Sequence, residues 1–213
     1  MVIETEMTCE ICETDAFRKL HDACLKGDLC AIKNSRDKEN FEEMLSHQQY
    51  CAGDHPWTTT PFDEAAWHGH VDVVDYLLAH FQIELHTSVT HHGQSIVDLL
   101  LGRASSQNDD STSVWKILKI LLSNFPETIS EQWNDDENDL EQNGWFDLVK
   151  NSFRNKEIRT LDLVMQHKIN MSESVKSSLE EYCEEQKEYT EDSEHEKTFL
   201  QKIKKRIGDV III

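Results

Sequence analysis

The sequence predicts an all-α solenoid of about four stacked helix-turn-helix repeats with a C-terminal helical extension. Three observations carry this expectation. Thr60 to Leu78 reads as two short helices joined by a glycine turn. The same pattern returns, less completely, once upstream and twice downstream. Near the end, Phe199, Leu200, Ile203 and Ile207 fall on one helical stripe.

The segment from Thr60 to Leu78 justifies itself residue by residue. Thr60 can cap a helix whose first turn tolerates Pro61, because the missing proline N–H has no intrahelical partner there. Ala65 and Ala66 keep one helix face thin, which allows a neighbour to approach closely. Gly69 stops the helix in the left-handed region, which any residue with a Cβ enters only at a cost. Val71, Val74, Leu77 and Leu78 then recur at helical spacing, so a second helix buries one stripe against the first. A hairpin of this thickness cannot cover its own apolar face, so further hairpins must flank it.

Upstream, Leu20-His21-Asp22-Ala23-Cys24-Leu25-Lys26-Gly27 repeats the first helix and its turn. Its second helix is interrupted, with Met44 and Leu45 displaced by an insert within Asn34 to Asn40. Downstream, Gly93 to Leu101 starts a third copy whose second helix runs from near Val114 to Leu121-Leu122. Ser105 to Ser113, mostly Ser, Asn and Asp, reads as a lengthened turn between them. A fourth copy spans Gly144 to Leu163-Val164, with Asn155 at the turn position, the best substitute for glycine in the left-handed region. Phe125 to Gln142 is rich in Asp, Glu and Asn and reads as an acidic surface loop. Ser174 to Tyr189 reads as a polar helix. Ser193 with Glu196 gives a capping-box pattern ahead of the Phe199 stripe.

With these residues in view, Thr60 to Leu78 resembles one ankyrin repeat, whose usual pattern is T-P-L-H-x-A-A-x-x-G-H-x-x-V-V-x-x-L-L. The resemblance extends over about residues 15–171, in repeats at about 15–53, 54–90, 91–131 and 142–171. Residues 1–14 precede them as an N-terminal segment, and residues 172–213 form an acidic helical extension. That extension is expected to seal the last repeat, the alternative being a partner-binding or dimerising helix.

The chain has 213 residues, and 41 Asp and Glu against 21 Lys and Arg give a formal charge of −20. Such a balance repels phosphate backbones and anionic lipid surfaces, so neither nucleic acid nor membrane is expected as a partner. No apolar run is long enough to span a bilayer, and Met1 to Glu6 lacks the pattern of a signal peptide. An intracellular protein, cytoplasmic or nuclear, with its six cysteines reduced, is the expectation.

Cys9-x-x-Cys12, His21 and Cys24 have the ligand types of a Cys₃His zinc site. A lone CxxC is weak against the structural reading, in which His21 braces a turn and Cys24 packs as a small core residue. No metal and no cofactor are expected. Neither a nucleophile–base motif nor a Gly-rich phosphate loop occurs, so no catalytic residue is assigned. The C-terminal Val210 to Ile213 either folds back or adds as a strand to a groove in another protein.

The ankyrin resemblance implies a concave face lined by turn tips and by the exposed side of each first helix. Carried over position by position, it implies partner contacts at Trp57 and Thr59, then Trp67 and His68. The third repeat supplies His91, His92, Gln94 and Arg103, and the fourth Trp145, Phe153 and Arg154. Packing between irregular repeats is the competing role for Trp67 and Phe153. The function expected is a non-catalytic protein-interaction module, an adaptor, inhibitor or effector whose partner has a basic face. A metal-dependent or enzymatic regulator using Cys9, Cys12, Cys24 and the inserts is one alternative, and a structural homo-oligomer is another.

Overall fold

The computed structural model describes residues 14–36, 40–51, 57–86, 94–106, 112–135, 143–189 and 194–209. The chain divides into two compact units, Met1–His91 and His92–Ile213. The first holds α1 (Asp15–Lys26), α2 (Leu29–Ser35), α3 (Phe41–Ser46), β1 (Gln49–Cys51), β2 (Trp57–Thr59), α4 (Pro61–His68) and α5 (Val71–His80). The second holds α6 (Ile96–Ser106), α7 (Ser113–Asn124), α8 (Pro126–Asp135), α9 (Gly144–Asn155), α10 (Arg159–Gln166), α11 (Glu173–Tyr189) and α12 (Glu194–Asp209). The helical class is as expected. One three-residue antiparallel ladder, pairing Gln49 with Thr59 and Cys51 with Trp57, stands beside the helices.

In the first unit α1 pairs with α2, α4 pairs with α5, and α1 lies along α4. Thr60 caps α4 through a reciprocal box with Asp63, and Pro61 occupies the first turn. Gly69 closes the helix at φ 82°, and Gly27 closes α1 at φ 71°. The two turns are braced against each other by one side chain. His70 Nε2–H donates to the carbonyl of Leu25 at 2.9 Å, and its ring lies so close to Gly27 that a Cβ there would meet His70 Nδ1 at 2.5 Å. The interruption expected in the first hairpin falls between α2 and α3. The core of the unit is Phe17, Leu20, Cys24, Ile32, Phe62, Ala65, Ala66, Val73, Val74 and Leu77.

In the second unit α6 pairs with α7, α9 with α10, and α6 lies along α9. Three details differ from the sequence reading. First, the stretch expected as an acidic surface loop contains α8, whose Ile129 and Trp133 lie four residues apart on one buried face. Second, the left-handed residue after α9 is Lys156 at φ 52°, while Asn155 is the last helical residue. Third, Ser105 belongs to α6 and is buried, its hydroxyl donating to Leu101 O at 2.8 Å.

Trp133 fastens this unit. Its indole N–H donates to Asp98 on α6 at 2.9 Å, its carbonyl accepts from the side chain of Asn143, and its ring meets Trp145 edge to face at 5.1 Å. Gly144, the first residue of α9, sits under that indole with no room for a Cβ. The C-terminal helices pack on α9 and on each other, burying Val175, Leu179 and Cys183 from α11 and Phe199, Leu200, Ile203 and Ile207 from α12. Ion pairs run from Lys156 to Glu196, Lys204 to Glu184 and Arg206 to Asp162, between α12 and its neighbours. Ser193 and Val210 to Ile213 lie outside the described residues.

Gly27→Ala should destabilise the protein by about 2 kcal/mol, combining a left-handed Cβ with displacement of the His70 ring. Gly208→Ala, within α12 and with open space around it, should raise stability by several tenths of a kcal/mol up to about 1. Urea titrations of both variants test the pair, and equal effects would refute the brace. Trp133→Ala should cost about 3–5 kcal/mol, read in the same titration.

Candidate functional site

The first helix of the second hairpin carries a cluster of buried and half-buried polar side chains. Glu64 is the centre. It is 9% exposed, and Thr59 Oγ1 donates to its Oε1 at 2.6 Å. His21 Nε2 stands 3.9 Å from Oε1, and His68 Nε2 stands 3.5 Å from Oε2. The positions follow from the hairpin register: Glu64 and His68 are one turn apart on α4, while His21 faces them from α1. Burial lowers the pKa of His21 more than the Glu64 and Asp22 charges raise it. Beside Glu64, Asp63 turns inward as the capping partner of Thr60, and burial pushes its carboxyl pKa up against the Thr60 hydrogen bonds.

An imidazole oriented by a carboxylate is one ingredient of acid–base chemistry, and a reactive group beside it is the next requirement. The neighbouring thiol does not meet it. Cys24 is fully buried, and burial together with the Glu64 charge pushes its pKa up to about 12, so it stays a neutral thiol at physiological pH. Cys183 behaves similarly, raised to about 11 chiefly by burial. Cys24 is therefore a core residue, and Cys9 and Cys12 lie outside the described residues. Among the described residues no group of three or more His, Cys, Asp or Glu is placed to hold a metal ion.

The residues expected to meet a partner separate into distinct environments. Trp67 is half-buried and His68 exposed on α4, adjacent at the helix end. Phe153 is half-buried and Arg154 exposed on the last turn of α9. Arg103 is half-buried on α6. Gln94 is half-buried and donates to Asp147 Oδ2 at 3.2 Å, which ties it into its own unit. Two positions are corrected. Trp145 is fully buried against Trp133, with its indole N–H on the carbonyl of Asn170 at 3.3 Å, so it is a core residue. Thr59 is 4% exposed and spends its hydroxyl on Glu64. Position along a repeat template places a residue on a helix but not the depth of the neighbour over it. The side chain of Trp57, together with His91 and His92, lies outside the described residues.

Sequence reasoning missed a buried carboxylate site in the His92–Ile213 unit. Asp98 accepts from Ser95 N at 2.8 Å, Ser95 Oγ at 2.7 Å and Trp133 Nε1 at 2.9 Å. The Ser95-x-x-Asp98 spacing was the available signal, the same cap geometry as Thr60 with Asp63. Burial nevertheless raises the Asp98 pKa to about 6, against those donors and with help from the charge of Asp147.

Compared with family models, curated proteins and solved structures, the chain matches none. No described helix is long and apolar enough to cross a membrane.

Asp98 should titrate with a midpoint near pH 6, observed by carbon NMR of its carboxyl. Because the folded pKa lies above the unfolded value of about 3.9, the folded state holds this proton more tightly between the two. The Asp98 contribution to stability is therefore greatest below about pH 4, falls as pH rises to about 6, and is flat beyond. A midpoint near 4 would mean that the three donors outweigh burial. Iodoacetamide should alkylate exposed Cys30 in the native protein while leaving Cys24 and Cys183 unmodified until denaturant is added.

Proposed function

We propose that this chain is a non-catalytic protein-interaction module of ankyrin type, holding another protein against the exposed side of its first helices. The observation that carries the reading is the hairpin arrangement within each unit. First helix lies on first helix, α1 on α4 and α6 on α9, so the outward residues of each are presented side by side. Glycine turns at Gly27 and Gly69, with His70 bracing one turn on the other, support the ankyrin resemblance. On α4 these residues end in Trp67 and His68, an amphipathic pair of the kind that anchors interfaces.

Electrostatics define the partner. A chain of charge −20 steers a protein with a basic face toward it and repels acidic ones. His68 Nε2 stands 3.5 Å from the Glu64 carboxylate, a contact that becomes an ion pair when the imidazole is protonated. The site would act in an intracellular compartment, where the exposed Cys30 thiol stays reduced.

The test is affinity capture from source cells, with Trp67→Ala and His68→Ala as paired variants and thermal melting as a parallel readout. Trp67→Ala should weaken capture by roughly 30-fold, the equivalent of about 2 kcal/mol at a hot spot, while the protein remains folded at the capture temperature. Retention of the partner should also fall as salt rises. Capture that survives both variants, or that is indifferent to salt, would remove the basis of the reading.

A further inference from the structure

In this strongly acidic chain, one cleft gathers cations. It opens in the His92–Ile213 unit where the turn after α9 meets α12, with a volume of about 620 Å³. Lys156, Arg159 and Lys202 line it, together with the Thr198 hydroxyl and the apolar side chains of Ile158 and Phe199. We propose that this cleft binds a phosphate monoester carrying an apolar body, the phosphate held by Lys156, Arg159 and Lys202 and the body resting on Phe199 and Ile158.

The charges favour a dianion once each is followed to its partners. Glu157 also lines the cleft, but its carboxylate is directed into the first turn of α10. One oxygen accepts from the backbone N–H and Nε of Arg159, and the other accepts from the backbone N–H and hydroxyl of Thr160, each at 3.3 Å. That carboxylate, and the Trp115 ring 5.6 Å from the guanidinium carbon, hold Arg159 in place at the cleft. Lys156 pairs with Glu196 at 2.7 Å, but half of the Lys156 side chain and a third of that of Glu196 are exposed, and an ion pair so placed contributes little and exchanges readily. Lys202 is exposed and has no hydrogen bond or ion pair among the described residues. A phosphate monoester, carrying a charge of about −1.5 to −2 at neutral pH, suits such a set better than a carboxylate does.

The turn after α9 places one of these cations. Lys156 occupies the left-handed turn at φ 52°, the place filled by Gly27 and Gly69 in the first unit. A side chain is disfavoured there, yet the one present lines the cleft. The size falls within the range of small-molecule sites, and the mixed lining supplies an apolar floor with a few placed polar groups. None of these residues belongs to α4, which carries Trp67 and His68.

The probe is phenyl phosphate, titrated into the full chain and followed by amide NMR, with inorganic phosphate and phenol as separate arms. Saturable shifts are expected at Lys156–Arg159 and Thr198–Lys202 with phenyl phosphate, weaker ones with inorganic phosphate, and none at these positions with phenol. Lys156→Gly removes the amine while relieving the backbone, so it leaves the fold intact, and Lys202→Glu reverses a surface charge. Each should weaken binding about tenfold or more. Phenyl phosphate that fails to saturate, or that binds both variants as it binds the parent, overturns the proposal. Inorganic phosphate binding as tightly as phenyl phosphate removes the apolar half of it, and phenol producing the same shifts removes the anionic half.

Discussion

A hairpin of two short helices has too little thickness to cover its own apolar stripe, and everything in this protein follows from how each hairpin obtains a cover. In the Met1–His91 unit the cover is a second hairpin, locked by the imidazole of His70 over Gly27. That contact needs a glycine twice over, for the left-handed backbone and for the space. In the His92–Ile213 unit the cover is assembled from more pieces. α8 inserts Trp133 between α6 and α9, and α11 and α12 close the exposed side of α9. The two solutions use different chemistry for one purpose: a polar contact to a backbone carbonyl in one, a buried aromatic with a buried carboxylate in the other.

Much of the first unit was legible in the sequence because its signals are local. A threonine cap, a proline in the first turn, a pair of alanines and a left-handed glycine each act within a few residues, and each was placed correctly at Thr60, Pro61, Ala65 with Ala66, and Gly69. The second unit was less legible because its determinants are distant or disguised. Ile129 and Trp133 were hidden among Asp, Glu and Asn, whose abundance reads as loop when counted but not when spaced. Trp145 was placed outward because a repeat template records which face of a helix a residue occupies. It does not record that α8 covers that face. The turn at Lys156 missed its expected position by one residue, since asparagine looks like the better left-handed residue until the hydrogen bonds of the turn, Lys156 N–H to Phe153 O and Glu157 N–H to Ser152 O, fix the register.

The acidity of the chain also divides by location. Most of the described carboxylates lie on the surface, where they set solubility and long-range steering. Asp63, Glu64 and Asp98 instead face inward, where they accept from a helix end, from the Thr59 hydroxyl and from the Trp133 indole. Composition alone merges these two populations. Only the positions of the hydrogen-bond donors separate a carboxylate that repels anions from one that holds a helix end.

The helices α6 and α7 keep their pairing although α6 ends at Ser106 and the cap of α7 begins at Thr112. The apolar contacts that unite them, Leu100, Leu101, Val114, Ile117 and Leu118 among them, sit on the helices themselves. Chain length between Ser106 and Thr112 is consequently decoupled from the helix pairing, because lengthening a connection costs little entropy compared with what helix packing supplies. The junction is a natural place for foreign peptide to be carried without reshaping the scaffold.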